Sequence, residues 1–361
     1  MAKLSPEAKR ALMTAKASVK KSYGEEAILD TKAVRVYKTF STGSAIIDDA
    51  IGIKGKSGFP LGRIIEIYGP ESSGKTSIAM SAVACAQKEF PDRMVLFVDA
   101  EQAFDLEYAK LFGVDTSEES FMFVQPDSAE MALNIIRTMA QTQAFSCIVL
   151  DSIASMATEA QLGKSAEEKT MGALAGVLSP ELAKIKTDLN KTDTTLILIN
   201  QTREKVGSYG GGETTPGGAA PRFYASIRIR VSKTDTITDE NKEAIGQELK
   251  IVFKKNKVGT PFKEVATRLL FGKGFDFQTE FVTIAEKKGI IHKGGAWYSW
   301  DNSKGQKEKH QGLVRAANYL KSSPEEFEFI KKLVAENSTI VAKDLPPEEQ
   351  LEDEVDLSVE E

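Results

Sequence analysis

Between residues 36 and 271, short apolar runs alternate with longer stretches of helical periodicity. The runs at 63–68 (RIIEIY), 94–98 (MVLFV), 147–150 (CIVL) and 195–199 (TLILI) are continuous apolar blocks of strand length. Blocks of that kind, separated by helical crossovers, predict a largely parallel sheet covered on both faces. The later runs at 223–231 (FYASIRIRV) and 247–253 (QELKIVF) instead alternate apolar and polar residues. That period predicts an antiparallel extension with one solvated face. Ahead of the core, residues 5–22 read as one helix: Ser5 is an N-cap, Pro6 takes the first helical position and Glu7 lies in the first turn. Leu12, Ala15 and Val19 then recur at helical spacing up to Gly24. Such an arm is too small to fold alone, so its stripe needs the body or another subunit to pack on. Beyond Gly272 a compact mixed segment ends in a helix, where Ser323-Pro324-Glu325-Glu326 predicts a capping box and Phe327, Ile330 and Val334 form a stripe. The expected organisation is therefore an arm at 1–35, a core at 36–271, a small α+β domain at 272–336 and a tail at 337–361.

The length of 361 residues suits two or three such units, and 41% hydrophobic with 27% charged residues is ordinary for a globular chain. No apolar run approaches the roughly 18 residues of a spanning helix, and the N-terminus has no apolar signal region. A cytoplasmic protein with no membrane partner is expected. Two cysteines, Cys85 and Cys147, and two histidines, His292 and His310, argue against a disulfide framework or a zinc site. The net charge of −5 is unevenly spread, since residues 344–361 hold nine acids and no Lys or Arg. Without those nine charges the preceding 343 residues carry +4. A block of like charge with Pro346-Pro347 cannot build a core and reads as a disordered tail, either solubilising or competing with nucleic acid for basic surfaces.

The sharpest local signal is Gly69-Pro70-Glu71-Ser72-Ser73-Gly74-Lys75-Thr76, which fits G-x-x-x-x-G-K-[ST] between a strand and a helix. In that setting backbone N–H groups turn inward around phosphate oxygens, Lys75 reaches the β- and γ-phosphates, and Thr76 holds Mg²⁺. The plainer reading is a glycine turn that binds nothing, and the strand–loop–helix context weighs against it. Asp151 ends the strand CIVLD on the same sheet edge, where an acid helps hold Mg²⁺, here through a water. Asp99 and Glu101 end MVLFVDAE on that edge, and Glu101, one step beyond the strand, is better placed to act on water past the γ-phosphate.

Two polar loops follow strands that also carry these residues. Residues 206–218 hold six glycines and Tyr209, flanked by Arg203, Lys205 and Arg222, while 161–172 hold Lys164, Lys169 and Met171. A glycine-rich loop loses much backbone entropy on ordering, so it suits folding around a flexible ligand. Read on composition alone, each is more often a solvated loop than a nucleic-acid contact. The basic turn at 254–257 (KKNK) is similarly either solvated or a source of cations for a nucleotide held by an adjacent subunit.

Taken in order, FSTGSAIIDDAIG, PLGRIIEIYG, GPESSGKT, FVDAEQAFDLEYA, VLDSIASM, LILINQTREKVG, ETTPGGAAPRFYASIRIR, KKNKVGTPF and GAWYSW resemble the RecA family of bacterial homologous-recombination ATPases across nearly the whole chain. The resemblance implies an α/β P-loop NTPase with a RecA-type core, using ATP and Mg²⁺. It implies a helical filament on single-stranded DNA that pairs with homologous duplex and exchanges strands, with DNA-stimulated ATP hydrolysis. Carried over by position, Glu101 is the base, and Lys75, Gln201, Lys255 and Lys257 complete the catalytic set, the last two acting on the neighbour's ATP. Tyr108 stacks on adenine. Residues 161–172 and 202–218 become the DNA loops, with Lys164, Lys169, Met171, Arg203, Lys205 and Tyr209 as contacts. Ile28 and Phe223 fall at the protomer interface, and Lys293 belongs to the duplex-capturing C-terminal domain. An SOS-type repressor and single-strand-binding or mediator proteins are further partners the resemblance brings into view.

Several positions depart from the family pattern. Gln102 stands where the family usually has His, Gly176 replaces an expected arginine, and the second loop is one residue shorter with Tyr209 in place of Phe. The stretch after GAWYSW follows the pattern loosely. A ring-forming motor on the same core, a non-hydrolysing DNA scaffold and a small-molecule kinase are the competing classes. The N-terminal arm and the C-terminal segment argue against the first, Glu101, Asp151 and Gln201 argue against the second, and turnover that ignores DNA would distinguish the third.

Overall fold

A computed structural model describes residues 4–24, 27–28, 37–53, 58–163, 172–204 and 213–340, with the backbone alone at 337–340. Lys164, Lys169, Met171, Lys205, Tyr209 and the acidic tail lie outside the described residues. The chain divides into two compact units, 1–38 and 39–361. In the first, helix α1 (Pro6–Tyr23) starts where the Ser5 hydroxyl accepts the Ala8 N–H at 3.2 Å and stops at Gly24. No residue of α1 is buried, and Leu12, Met13 and Val19 are exposed along it. Ile28, half-buried, belongs to this unit.

The second unit opens with the short antiparallel pair β1 (Thr39–Phe40) and β2 (Phe59–Pro60), which brackets helix α2 (Ala45–Ile51). Then come β3 (Ile64–Gly69), α3 (Lys75–Glu89), β4 (Met94–Asp99), α4 (Leu106–Leu111), β5 (Phe121–Val124), α5 (Ala129–Gln141) and β6 (Phe145–Asp151). They are followed by α6 (Glu159–Leu162), α7 (Ala173–Thr192), β7 (Thr195–Gln201), the two-residue strands β8 (Arg203–Glu204) and β9 (Glu213–Thr214), and α8 (Ala220–Tyr224). The long strands β10 (Ile227–Thr238), β11 (Ala244–Asn256) and β12 (Glu264–Leu270) lead into β13 (Gly274–Phe275). These strands, apart from the β1/β2 and β8/β9 pairs, form one sheet in the order β13-β12-β11-β10-β3-β7-β6-β4-β5. The six from β10 to β5 run parallel, and β11, β12 and β13 extend the sheet antiparallel.

Alternation along the parallel strands sends Ile64, Leu96, Val98, Ile148, Leu150, Leu196 and Leu198 to one face, where α5 and α7 cover them. The opposite set, including Ile65, Ile67, Phe97, Val149 and Ile197, is equally buried on the side where α3 packs. Burial on both faces is why these strands read as unbroken apolar blocks.

Two local expectations fail. The predicted strand at 223–231 begins only at Ile227, because 220–224 is helical. Pro221 sits in the first turn of that helix, where its fixed φ fits and its missing N–H is not needed. The capping box at Ser323 does not close either. Glu326 instead accepts the Trp300 indole N–H at 3.0 Å and the Ser303 N–H at 3.1 Å, so its carboxylate serves tertiary structure.

Beyond β13, helix α9 (Phe277–Lys287), the sheet β14 (His292–Gly294), β15 (Trp297–Asp301) and β16 (Lys307–Gln311), and helices α10 (Leu313–Ser322) and α11 (Pro324–Ile340) gather around Val282, Ile291, Trp300, Ala317, Leu320 and Ile330. Helix α9 joins this cluster to the main sheet through Glu280. Its buried carboxylate accepts the Ser44 hydroxyl at 2.5 Å, the Ala45 N–H at 2.8 Å and the Thr267 hydroxyl.

Candidate active site

The carboxyl ends of β3, β4, β6 and β7 come level at one sheet edge. Gly69 pairs with Gln201 across β3 and β7, and Asp99 pairs with Asp151 across β4 and β6. The chain then turns from β3 into α3 through the phosphate-loop sequence. Gly69 cannot carry a side chain there, since a Cβ would lie 2.0 Å from the Val231 carbonyl oxygen. At the other end Gly74 takes φ +84° as the residue before α3, a conformation that side chains rarely adopt.

Above this edge lies a cleft of about 440 Å³. Glu71, Ser72, Ser73, Gly74, Lys75 and Thr76 form one wall, and Glu101, Asp151 and Gln201 approach from the neighbouring strand ends. The Pro70 carbonyl accepts from the Lys75 ammonium at 2.6 Å and from the Ser73 hydroxyl at 2.8 Å. Lys75 is buried, which pushes its pKa down, while Asp151, Glu101 and Glu71 pull it back up. Thr76 donates its hydroxyl to Asp151 Oδ2 at 2.6 Å. Burial pushes the Asp151 pKa up to about 6, with Glu101 and Asp99 adding to the rise and the Thr76 hydrogen bond opposing it.

Asp151 Oδ1 is buried without a hydrogen-bond partner among the described residues. A buried carboxylate oxygen left unpaired beside a threonine hydroxyl and a phosphate loop fits a divalent cation or its bound water. Thr76 and Asp151 are thus suited to holding Mg²⁺.

Asp99 and Glu101, both candidates from sequence, separate clearly. The Asp99 carboxylate is buried and occupied, accepting from the N–H groups of Ala103 (3.4 Å) and Phe104 (3.1 Å) and from the Gln125 side chain (3.0 Å). Glu101 is exposed in the cleft, its N–H anchored to the Asp151 carbonyl at 3.1 Å. Its carboxylate is the one free to meet a water molecule.

Other sequence candidates lie outside the cleft. Tyr108 is half-buried on α4 and meets Phe112 edge to face at 5.1 Å. Lys255 donates to the carbonyls of Arg222 (2.7 Å) and Phe223 (3.0 Å), and Lys257 is exposed. Phe223 leaves 70% of its surface uncovered. Arg203 starts the β8/β9 pair, opposite Thr214. Lys293 lies on β14 with its ammonium 5.5 Å from the Tyr298 ring centre.

Sequence reading missed Lys233, Gln247 and Phe271, which also line the cleft. They come from β10, β11 and the residue after β12, and no local motif marks residues delivered by strands that join the sheet on the far side of the phosphate-loop strand.

The RecA N-terminal domain family matches residues 10–276. A RecA protein of Ruminococcus albus is 41% identical over 93% of this chain and 82% of its own length. One from Mesomycoplasma hyopneumoniae is 42% identical over 91% and 95%, and one from Streptococcus mutans 39% over 96% and 90%. Among solved structures, a RadB recombinase overlaps 65% of this chain and 97% of its own, at 20% identity and a TM-score of 0.48. The phosphate loop, the strand-edge acids and this kinship converge on one conclusion: the chain belongs to the RecA family of ATP-dependent recombinases that act in homologous recombination.

Proposed function

We propose that this chain is a cytoplasmic recombinase that hydrolyses ATP in response to single-stranded DNA, using the cleft between the phosphate loop and the strand-edge acids. The observation that carries the proposal is the gathering of Lys75, Thr76, Glu101, Asp151 and Gln201 around one space. Lys75 exchanges the Pro70 carbonyl for phosphate oxygens, and the backbone N–H groups at the start of α3 hold the β-phosphate. Thr76 and Asp151 would hold Mg²⁺, which would supply neutralisation of charge on the phosphate oxygens. Glu101 orients a water molecule toward the γ-phosphorus and takes its proton. Gln201 contacts the γ-phosphate.

Gln201 also leads directly into the second DNA segment, since Thr202 donates its N–H to the Gly69 carbonyl at 3.1 Å and β8 begins at Arg203. Its neighbour Asn200 is buried, donating to Glu66 at 3.2 Å and to the Pro216 carbonyl at 3.1 Å, so the sheet edge and the far end of that segment share one support. Lys255 and Lys257 reach the ATP of the next protomer in a helical filament, with Ile28 and Phe223 at the contact and Tyr108 on the adenine. Residues 272–336 with Lys293 take up duplex DNA.

The test is strand exchange between a circular single strand and a linear homologous duplex in the presence of ATP and Mg²⁺. Joint molecules are expected with the wild type and not with a heterologous duplex. Their absence, with the protein folded and bound to ATP, would contradict the proposal.

A further inference from the structure

Glu66 is the only charged residue of β3, the strand that leads into the phosphate loop. Alternation puts it with Ile64 and Tyr68 on the face that also holds Leu196 and Leu198 of β7. Glu66 lies opposite Leu198, and Tyr68 lies opposite Asn200. Both Glu66 and Asn200 are completely buried among these apolar neighbours. A carboxylate in such a place is costly unless its oxygens are matched.

The two oxygens have different partners. Oε2 accepts from Arg228 Nε at 2.5 Å; Arg228 sits directly opposite Glu66 on β10 and over the Tyr68 ring, 4.5 Å from its centre. A buried ion pair is weak ground for stability, because two apolar residues of similar volume hold such a position as well. The other oxygen gives the carboxylate a further use. Oε1 accepts from Asn200 Nδ2 at 3.2 Å, and the same nitrogen donates to the Pro216 carbonyl at 3.1 Å. Asn200 Oδ1 in turn accepts the Gln201 N–H at 3.0 Å. One side-chain amide therefore joins β3, the end of the second DNA segment and a residue that lines the cleft.

We infer that Glu66 is a positioning residue for ATP hydrolysis: by fixing the Asn200 amide to β3 it holds Gln201 and the Pro216 end of the second DNA segment in one register with the phosphate loop. Glu66 touches neither nucleotide nor DNA and acts only through Asn200. Without it the amide keeps its bonds to Pro216 and Gln201, but neither bond ties it to the phosphate-loop strand. With it, a shift of the segment's end reaches Gln201 against a fixed point. Arg228 serves to neutralise the carboxylate, so its charge is dispensable once the carboxylate is replaced by a neutral acceptor. The inference rests on the reading of the cleft as an ATPase site in which Gln201 contacts the γ-phosphate.

The experiment is steady-state ATP turnover of the full-length protein, with and without single-stranded DNA, in two variants that both lack the ion pair. Glu66→Gln/Arg228→Met keeps a carbonyl oxygen for Asn200, whereas Glu66→Met/Arg228→Met removes it and buries groups of similar size. The first is expected to hold kcat and the KM for ATP within about twofold of the wild type. The second should lose at least about tenfold in DNA-stimulated kcat while its KM stays within about twofold. Adding the Met pair to Gln201→Ala should lower turnover by no more than about twofold further, because both changes act through one residue. Should the Met pair fail to fold by circular dichroism, Asn200→Ala breaks the same link with the ion pair intact and should show the same loss of about tenfold. Equal turnover in the Gln and Met pairs, a full further loss on top of Gln201→Ala, or a wild-type rate in Asn200→Ala overturns the inference. Wild-type turnover that ignores DNA, or that survives Gln201→Ala, is a distinct result, which fails the reading of the cleft and the inference with it.

Discussion

Asp151 faces two opposed demands. Burial favours its neutral form and pushes its pKa up to about 6, yet cation binding needs the charged one. A carboxyl whose folded pKa is raised contributes stability at low pH and loses it as pH rises through about 6. The nucleotide-free protein should therefore lose stability from this group as pH rises from about 4, near the carboxyl's ordinary value of 3.8, to about 6, with little further loss above that. Asp151→Asn should flatten that loss and raise the melting temperature at neutral pH by a few degrees. Mg²⁺-dependent binding of a fluorescent ATP analogue should strengthen through the same pH range in the wild type and not in the variant; thermal melts and titrations across that range check both. Gly69 carries a second prediction. Its missing side chain leaves room for the Val231 carbonyl, so Gly69→Ala should cost on the order of 2 kcal/mol or more in urea unfolding. At this scale the phosphate loop was legible from sequence because eight consecutive residues build it. Lys233, Gln247 and Phe271 were not, because they depend on strand pairing over long sequence distances.

Among elements, the strongly apolar strands announced themselves, and those that are half-solvated announced their different role by alternation. The misplaced start of β10 came from reading FYAS as a continuation of the strand, when Pro221 had already begun a helical turn. Glu326 looked like a capping residue because spacing alone cannot show that Trp300 and Ser303 would claim its carboxylate. Helix α7 offers a direct test of the departure at Gly176, which is exposed and where an added Cβ would meet nothing within 4 Å. Gly176→Arg should stabilise the helix by about 0.7–1 kcal/mol. It should also tighten single-stranded DNA binding and steepen its salt slope by about 0.7, read by fluorescence anisotropy. Helix α9 depends on Glu280 for its seam with α2 and β12. Glu280→Ala leaves the Ser44 hydroxyl, the Ala45 N–H and the Thr267 hydroxyl without their acceptor, at about 3 kcal/mol in chemical denaturation.

For the whole molecule, the sheet does more than support the cleft. One run of parallel strands places the phosphate loop beside Gln201, and the chain passes straight from Gln201 into the segment proposed to bind DNA. Coupling between nucleotide and DNA would then need no long relay, because Gln201, which ends β7, lines the cleft and leads directly into that segment. The central claim is that DNA occupancy controls hydrolysis at this cleft through Glu101. It is tested most directly by ATP turnover with and without single-stranded DNA from about 50 to about 200 mM salt, with Glu101→Ala measured alongside. The account predicts strong stimulation by DNA that fades as salt rises, and turnover lost in the variant while nucleotide binding persists. Turnover indifferent to DNA, or undiminished in Glu101→Ala, would contradict it.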